Sequence, residues 1–341
     1  MTLLHADNFD SLATVGSKYS ANAVFTLDNS IVRFPGQSIK VHYIYYFGYV
    51  FTGPKSEIYV GIAQYIADTR FQDSDVIYFR GLSEANFVIK STSVVNMYSL
   101  WTQAGTLYSF KPKTYAWNFF EVKFKASASS SAGDLIVKLN NETIYSCGAG
   151  LDLLHTSNVA DTSTYAVNFG GVGMSSSLYT YYDDLYICDN NGSVNNTFLG
   201  DCRIETLYPN GNGNSSDFMG SDSNQTDNYL LVDEATHNSD TDYVYDSVVD
   251  QVDLYTFGNL TGTIGTIHGI VVEPVLRKTD AGTRTARTII RQNSTNYESS
   301  EIFPSTTYVP YPTIWETDPD TSSAWTETGV NSAEYGITVE S

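Results

Sequence analysis

The first half of the chain breaks into short stretches in which apolar and polar residues alternate with a period of two, separated by clusters of Gly, Ser and Asn. Ser38-Ile39-Lys40-Val41-His42-Tyr43 is one, Ile58-Tyr59-Val60-Gly61-Ile62 a second and Val76-Ile77-Tyr78-Phe79-Arg80 a third. In Phe119-Phe120-Glu121-Val122-Lys123-Phe124-Lys125, three apolar side chains fall on one face and Glu121 and Lys123 on the other. Leu135-Ile136-Val137-Lys138-Leu139 repeats the pattern, and Asn140-Asn141-Glu142 turns the chain into Thr143-Ile144-Tyr145. Successive side chains of a strand point to opposite faces, so each stretch reads as a strand with one buried side. Parallel strands would need crossover segments of about a dozen residues, usually helical, and none shows. The pattern predicts an antiparallel sandwich.

Composition agrees. Charged residues make up 16% of the chain, against roughly 25% in ordinary globular proteins. Ser, Thr, Asn, Gly and 26 tyrosines take their place. At 341 residues there is room for two domains, each with its own core. We expect an all-β chain: residues 1–196 as one sandwich, and 197–341 as a second, of jelly-roll or immunoglobulin type. Residues 165–173 follow in the first half, and 181–188 read as the final strand of the first sandwich. In the second, strands are expected over 200–209, 229–232, 252–257, 267–276 and 334–339. An Asn/Gly-rich acidic loop at about 210–228 has a composition that argues for mobility or for folding against a neighbour. Residues 269–277 and 284–291 read as a hairpin turned by Asp280 and Gly282.

Charge is concentrated. From Tyr182 to Asp253 there are thirteen Asp and two Glu against Arg203 alone, a net of −14 out of −20. Such a surface repels phosphate backbones and anionic lipid, so neither nucleic-acid nor membrane binding is expected. No apolar run approaches the roughly 18 residues of a membrane span, and the N-terminus lacks the pattern of a signal peptide. Three cysteines, Cys147, Cys188 and Cys202, make no disulfide framework; a Cys188–Cys202 pair stays open, with free thiols favoured.

Two resemblances follow from particular residues. Trp117-Asn118-Phe119-Phe120-Glu121-Val122-Lys123-Phe124, Gly133 to Glu142 and the closing Tyr182-Asp183-Asp184-Leu185-Tyr186-Ile187 resemble laminin-G-like, concanavalin-type sandwiches. From Tyr182 onward an ordered series appears. It includes Phe198-Leu199-Gly200-Asp201-Cys202-Arg203-Ile204, Thr206-Leu207-Tyr208-Pro209, Asp240-Thr241-Asp242-Tyr243-Val244, Arg277 to Arg284, Trp315-Glu316-Thr317-Asp318-Pro319 and Asn331 to Gly336. This series is similar to a family of tailed-bacteriophage virion proteins. The resemblance implies a structural part of the particle, in the tail or a tail-associated fibre, assembled in the host cytoplasm. It also implies a homo-oligomer bound to other virion proteins, with a capsid-decoration role as the alternative.

Chemistry is sparse. Sandwich glucanases carry paired acids on one strand, and the nearest approach, Glu316-Thr317-Asp318-Pro319-Asp320, is broken by Pro319. Glu57 and Glu121 read as solvated edge carboxylates. No Gly-x-Ser-x-Gly elbow and no His/Cys set at zinc spacing occurs, so no enzyme and no cofactor are expected, with a glycan-degrading enzyme as the rival. Asp183, Asp184 and Asp189 form an oxygen-rich cluster that suits calcium. Tyr43, Tyr45, Tyr46, Tyr98 and Trp101 are candidates for stacking on a host-surface glycan, with core or subunit-interface positions as the alternative for most of them. Arg277, Arg284, Arg287 and Arg291 are candidates for docking onto an acidic neighbour.

Overall fold

The structure, a computed structural model, describes residues 2–11, 18–21, 26–42, 44–68, 73–82, 85–102, 105–127, 132–147, 163–171 and 179–341. The chain divides into two compact units, Met1–Ile204 and Glu205–Ser341. Tyr43, one of the expected glycan residues, lies outside the described residues.

The first unit contains β1 (Leu3–Asp7), β2 (Ser20–Ala21), β3 (Thr26–Asp28), β4 (Ser38–His42), β5 (Tyr46–Lys55), β6 (Glu57–Ile66), β7 (Ser74–Arg80) and β8 (Ala85–Ser91). It continues with β9 (Tyr98–Thr102), β10 (Gly105–Phe110), β11 (Trp117–Lys125), β12 (Asp134–Leu139), β13 (Glu142–Ser146), β14 (Thr164–Gly170) and β15 (Tyr179–Asp189). They build an eight-stranded sheet in the order β13-β12-β11-β6-β15-β4-β3, with β1 also on β15, and a seven-stranded sheet in the order β10-β9-β8-β7-β14-β5-β2. The turn predicted at Asn140-Asn141 is present, both residues taking positive φ, which Asn tolerates better than most side chains.

Alternation puts one face of each sheet into a shared core. Ile58, Val60 and Ile62 of β6 and Phe120, Val122 and Phe124 of β11 meet Phe47 of β5, Phe79 of β7, Phe87 and Ile89 of β8 and Phe169 of β14, all buried. One polar group sits among them. Gln64 Nε2 donates to Tyr182 Oη at 2.9 Å, and Tyr98 Oη donates to Gln64 Oε1 at 3.1 Å. Tyr182 Oη also lies 2.6 Å from the Gly170 carbonyl oxygen, so the amide ties one sheet to the other. Tyr98 is therefore a core residue with no exposed surface, which corrects its expected place in a glycan site. Gln64→Leu removes the amide acceptor of the Tyr98 hydroxyl and the amide donor to Tyr182. We expect a loss of about 2 kcal/mol in urea unfolding; a loss within error of zero would mean the amide contributes nothing to sheet pairing.

The second unit is also antiparallel: β16 (Pro209–Ser216), β17 (Met219–Gly220), β18 (Val244–Tyr245), β19 (Val252–Phe257), β20 (Ile270–Val272), β21 (Val275–Leu276), β22 (Ala286–Gln292), β23 (Thr295–Glu298), β24 (Val309–Pro310), β25 (Thr313–Trp315) and β26 (Glu334–Val339). Five of these form a sheet in the order β16-β19-β26-β22-β23. A six-residue helix, Glu327–Ser332, is capped by the Thr326 side chain, which accepts from the Gly329 amide. The core here is small: Ile290, Trp325, Val330, Ala333 and Tyr335.

Three expectations change in this unit. Residues 200–208 form no strand; β16 starts at Pro209, the last residue of that expected strand, and runs to Ser216 through the start of the expected loop, which thus folds against β19. Residues 228–231 form a 3₁₀ turn rather than a strand. The proposed 269–277/284–291 hairpin does not form, because β20 pairs with β25, β21 with β24, and β22 with β26 and β23. A Pro at 274 between β20 and β21 removes a ladder donor and separates the two short ribbons.

Candidate functional site

The outward face of the seven-stranded sheet collects the aromatic residues. On β5, Phe47 faces the core and Tyr46 does not; on β7, Ile77 and Phe79 face in and Tyr78 does not; on β9, Leu100 faces in and Trp101 does not. Register aligns them across the sheet. Asn168 of β14 lies opposite Gly48 on one side and Tyr78 on the other. Tyr78 lies opposite Val88, and Val88 opposite Trp101. Tyr78 and Trp101 are thus two strands apart, about 10 Å at ordinary strand spacing. The Tyr46 and Tyr78 rings meet edge-on at 5.7 Å. Burial, with Tyr46 and Asp75 beside it, holds the Tyr78 phenol above its ordinary value, so its hydroxyl keeps its proton.

Two cations flank this row. Lys90 Nζ sits 4.0 Å from the Trp101 ring centroid and 3.5 Å from Asp75 Oδ1. Arg80, at the end of β7, is exposed. Tyr45 does not join the row; it is half-buried against the core, with its ring 5.2 Å from His42. Of the five aromatic candidates, the structure brings Tyr46 and Trp101 onto one face. It adds Tyr78, which sequence reading missed although its place between Ile77 and Phe79 marks it as outward.

The outer face of the eight-stranded sheet is covered instead. Residues 198–204 lie across it and are clasped by charge. Arg33 Nη1 donates to Asp184 Oδ2 at 2.9 Å and to the Cys202 carbonyl at 2.8 Å, and its other terminal nitrogen pairs with Asp201. The Arg33 amide donates to Asp183 Oδ2 at 3.0 Å, and the Ile204 amide to Asp184 Oδ1 at 2.7 Å. A bulge in β15 between Asp183 and Tyr186 inserts Asp184, at positive φ, and places two consecutive acids on the same outer face. Burial raises the proton affinity of both, and each neighbour's charge adds to that of Asp183.

Glu121 is part of the same covered face. Its Oε1 accepts from Tyr186 Oη at 2.6 Å and from the Gly200 amide at 2.9 Å. Gly61 makes room for this: a Cβ there would overlap the Tyr186 ring. Glu121 is 1% exposed and Glu57 9%, so neither is the solvated edge acid expected. Their strand pattern gave the correct face but not the segment that covers it. The same clasp explains why the first unit runs to Ile204 rather than ending at 196. Cys147, Cys188 and Cys202 are all free thiols, and burial, with Glu121 nearby, pushes the Cys202 thiol up to about 12.

The three acids assigned to calcium do not converge. Asp183 and Asp184 hold Arg33 and the covering segment, whereas Asp189 pairs with Lys55 at 2.9 Å and accepts from Asn191. No group of three or more His, Cys, Asp or Glu able to hold a metal occurs among the described residues. We expect the melting temperature to be the same with excess chelator as with millimolar calcium; a rise in calcium would restore a metal to this region.

The arginine candidates are spent within their own unit. Arg277 pairs with Asp240 at 2.6 Å and lies over Tyr308; Arg284 pairs with Asp280 at 2.9 Å. Arg287 contacts Glu340 at 2.7 Å and Glu301 at 3.4 Å, and Arg291 lies 3.9 Å from Glu334. The acidic neighbour sought for Arg277 is thus the Asp-rich stretch of the same chain. Asp318, of the Glu316-Thr317-Asp318-Pro319-Asp320 stretch, is buried and holds a turn by accepting from the Asp320 amide at 2.9 Å.

No family model matches the chain, and no curated protein does. Several solved structures align with little more than half of the chain. The cellulose-induced protein Cip1 aligns at 17% identity and a TM-score of 0.43, covering 57% of this chain and 99% of its own. The alginate lyase vAL-1 from Chlorella virus aligns at 10% identity and 0.37, covering 55% and 99%. Arcelin-5, a lectin-like defence protein from Phaseolus vulgaris, aligns at 10% and 0.36, covering 55% and 98%. Identities and scores this low say nothing about the chemistry of this chain.

Proposed function

We propose that this protein is a non-enzymatic, glycan-binding structural protein whose binding face is the outward side of the seven-stranded sheet. The observation that carries the reading is the register row that sets Tyr78 and Trp101 on one face, with Tyr46 beside it and Lys90 and Arg80 at its flanks. Aromatic rings cover the apolar faces of sugars, and cations and amides meet their oxygens. Trp101→Ala and Tyr78→Ala are each expected to weaken binding to host-surface polysaccharide at least tenfold, with little change in melting temperature, since both side chains lie outside the core. Full affinity in both variants would remove the face from consideration. Incubation with the polysaccharide should release no new reducing ends; their appearance would make the protein an enzyme.

The setting we propose is a tailed-phage particle, supported by the ordered blocks between Tyr182 and Gly336. In it the chain forms a homo-oligomer attached to tail proteins. Antibody labelling of intact particles decides between tail and capsid.

A further inference from the structure

We infer that this face selects carboxylated saccharides, with Arg80 as the residue that meets the carboxylate; the inference rests on the reading that the face binds glycans. The chain holds 18 Lys and Arg against 38 Asp and Glu, and its cations are mostly captured by acids. Lys18 is held by Asp7, Lys40 by Asp28, Lys55 by Asp189 and Lys90 by Asp75. Arg80 is an exception: it is exposed and has no ion-pair partner among the described residues. In a protein with so many carboxylates, a free guanidinium beside an aromatic row leaves a place for an acid from outside. The planar fork of arginine matches a carboxylate with two parallel hydrogen bonds, which an ammonium does not.

A second observation points to the same place. Arg80 lies opposite Ala166 of β14, and Thr164 and Asn168 flank Ala166 on the same side of that strand. Thr164 is 1% exposed and Asn168 2%, yet Thr164 Oγ1 and Asn168 Nδ2 have no hydrogen-bond partner among the described residues. Leaving a buried polar group unsatisfied is unfavourable, and native folds keep few such groups. Here two lie on one strand, beside the one unpaired arginine of the face and next to Tyr78. Sugar hydroxyls and ring oxygens supply the missing acceptors, and a carboxylate supplies the counter-charge.

The test measures binding of the full chain to a uronic-acid oligosaccharide and to its carboxyl-reduced, neutral counterpart, for wild type, Arg80→Gln and Arg80→Lys. The expected result is at least tenfold tighter binding of the acidic form by wild type. Arg80→Gln should lose that preference and bind the two forms alike, and Arg80→Lys should retain part of it. Equal binding of both forms by wild type overturns the carboxylate selectivity and leaves the glycan reading intact. A preference that survives in Arg80→Gln overturns the role of Arg80. Binding to neither form overturns the glycan reading itself.

Discussion

Arg33→Met is expected to cost the first unit about 3–5 kcal/mol, the usual effect of removing one partner from a buried ion pair. The Arg33 guanidinium is the only cationic group bonded to Asp184 among the described contacts, Asp183 being held by the Arg33 backbone amide, and the Asp184 side chain is 1% exposed. Without the guanidinium, two neighbouring acids share a dry site with no counter-charge, and the carbonyl of Cys202 loses its donor. The cation–π contact with Phe119, at 4.9 Å, is lost as well, although methionine keeps part of the packing. Asp184→Asn in the Arg33→Met background should recover part of the loss, because it removes the stranded charge. The double-mutant cycle is read from urea unfolding at pH 7. A cost below about 1 kcal/mol, the value of an exposed pair, would show that the site is wetter than its burial implies. Limited proteolysis adds an independent readout: cutting within 198–204 should appear in Arg33→Met before global unfolding, because that segment is held to the sheet by the same clasp.

This site also marks where sequence reading stops. The strands of the first unit were legible because a sandwich buries one side of each strand, and that burial writes a period of two into the residues. Parity alone separates Tyr98, in step with Leu100, from Trp101, which points the other way, and so selects the core alternative for the first and the surface one for the second. What parity does not reveal is a covering segment. Glu121 and Lys123 lie on the same side of β11, yet only a tertiary contact from residues 198–202 decides that Glu121 is dry. In the second unit the pattern fails for a different reason. Pro209-Asn210-Gly211-Asn212-Gly213-Asn214-Ser215-Ser216 has the composition of a loop, yet it pairs with β19 through two irregularities. A Cβ at Gly213 would press on the backbone of Leu254, so the small residues that argued against a strand are those that let this one approach its neighbour. Propensity yields here to pairing.

The stability of the first unit is expected to carry two separable and opposing pH contributions: an acid limb, lost as pH falls from 6.5 to about 4, and an alkaline limb, lost as pH rises above 3.8. His5 is buried, stacked on Tyr49 at 4.4 Å, with Nε2 2.7 Å from Tyr19 Oη. Tyr19 Oη donates to Asp7 Oδ2 at 2.9 Å, so the imidazole acts as donor to the phenol in its neutral form. Burial lowers its pKa from 6.5 to about 4. Below pH 6.5 the unfolded chain takes up a proton that the fold refuses, so stability drains away as pH falls toward 4. The loss approaches about 3 kcal/mol, at 1.36 kcal/mol for each unit of displacement. Asp183 and Asp184 act in the opposite sense. Their folded pKa values are raised by burial, so their contribution is complete below the unfolded value of 3.8 and is lost as pH rises through the folded values. His5→Phe keeps a ring against Tyr49 and should flatten the acid limb alone. Asp183→Asn should flatten the Asp183 part of the alkaline limb; its one amide oxygen keeps only one of the two bonds that Asp183 accepts, from the Arg33 amide on Oδ2 and from the Asp184 amide on Oδ1, so a pH-independent loss of stability accompanies the flattening. Unfolding free energies measured from pH 4 to 8 separate the two. If His5→Phe leaves the acid limb unchanged, the proton uptake belongs to another group, and the imidazole is not held neutral by the packing around it.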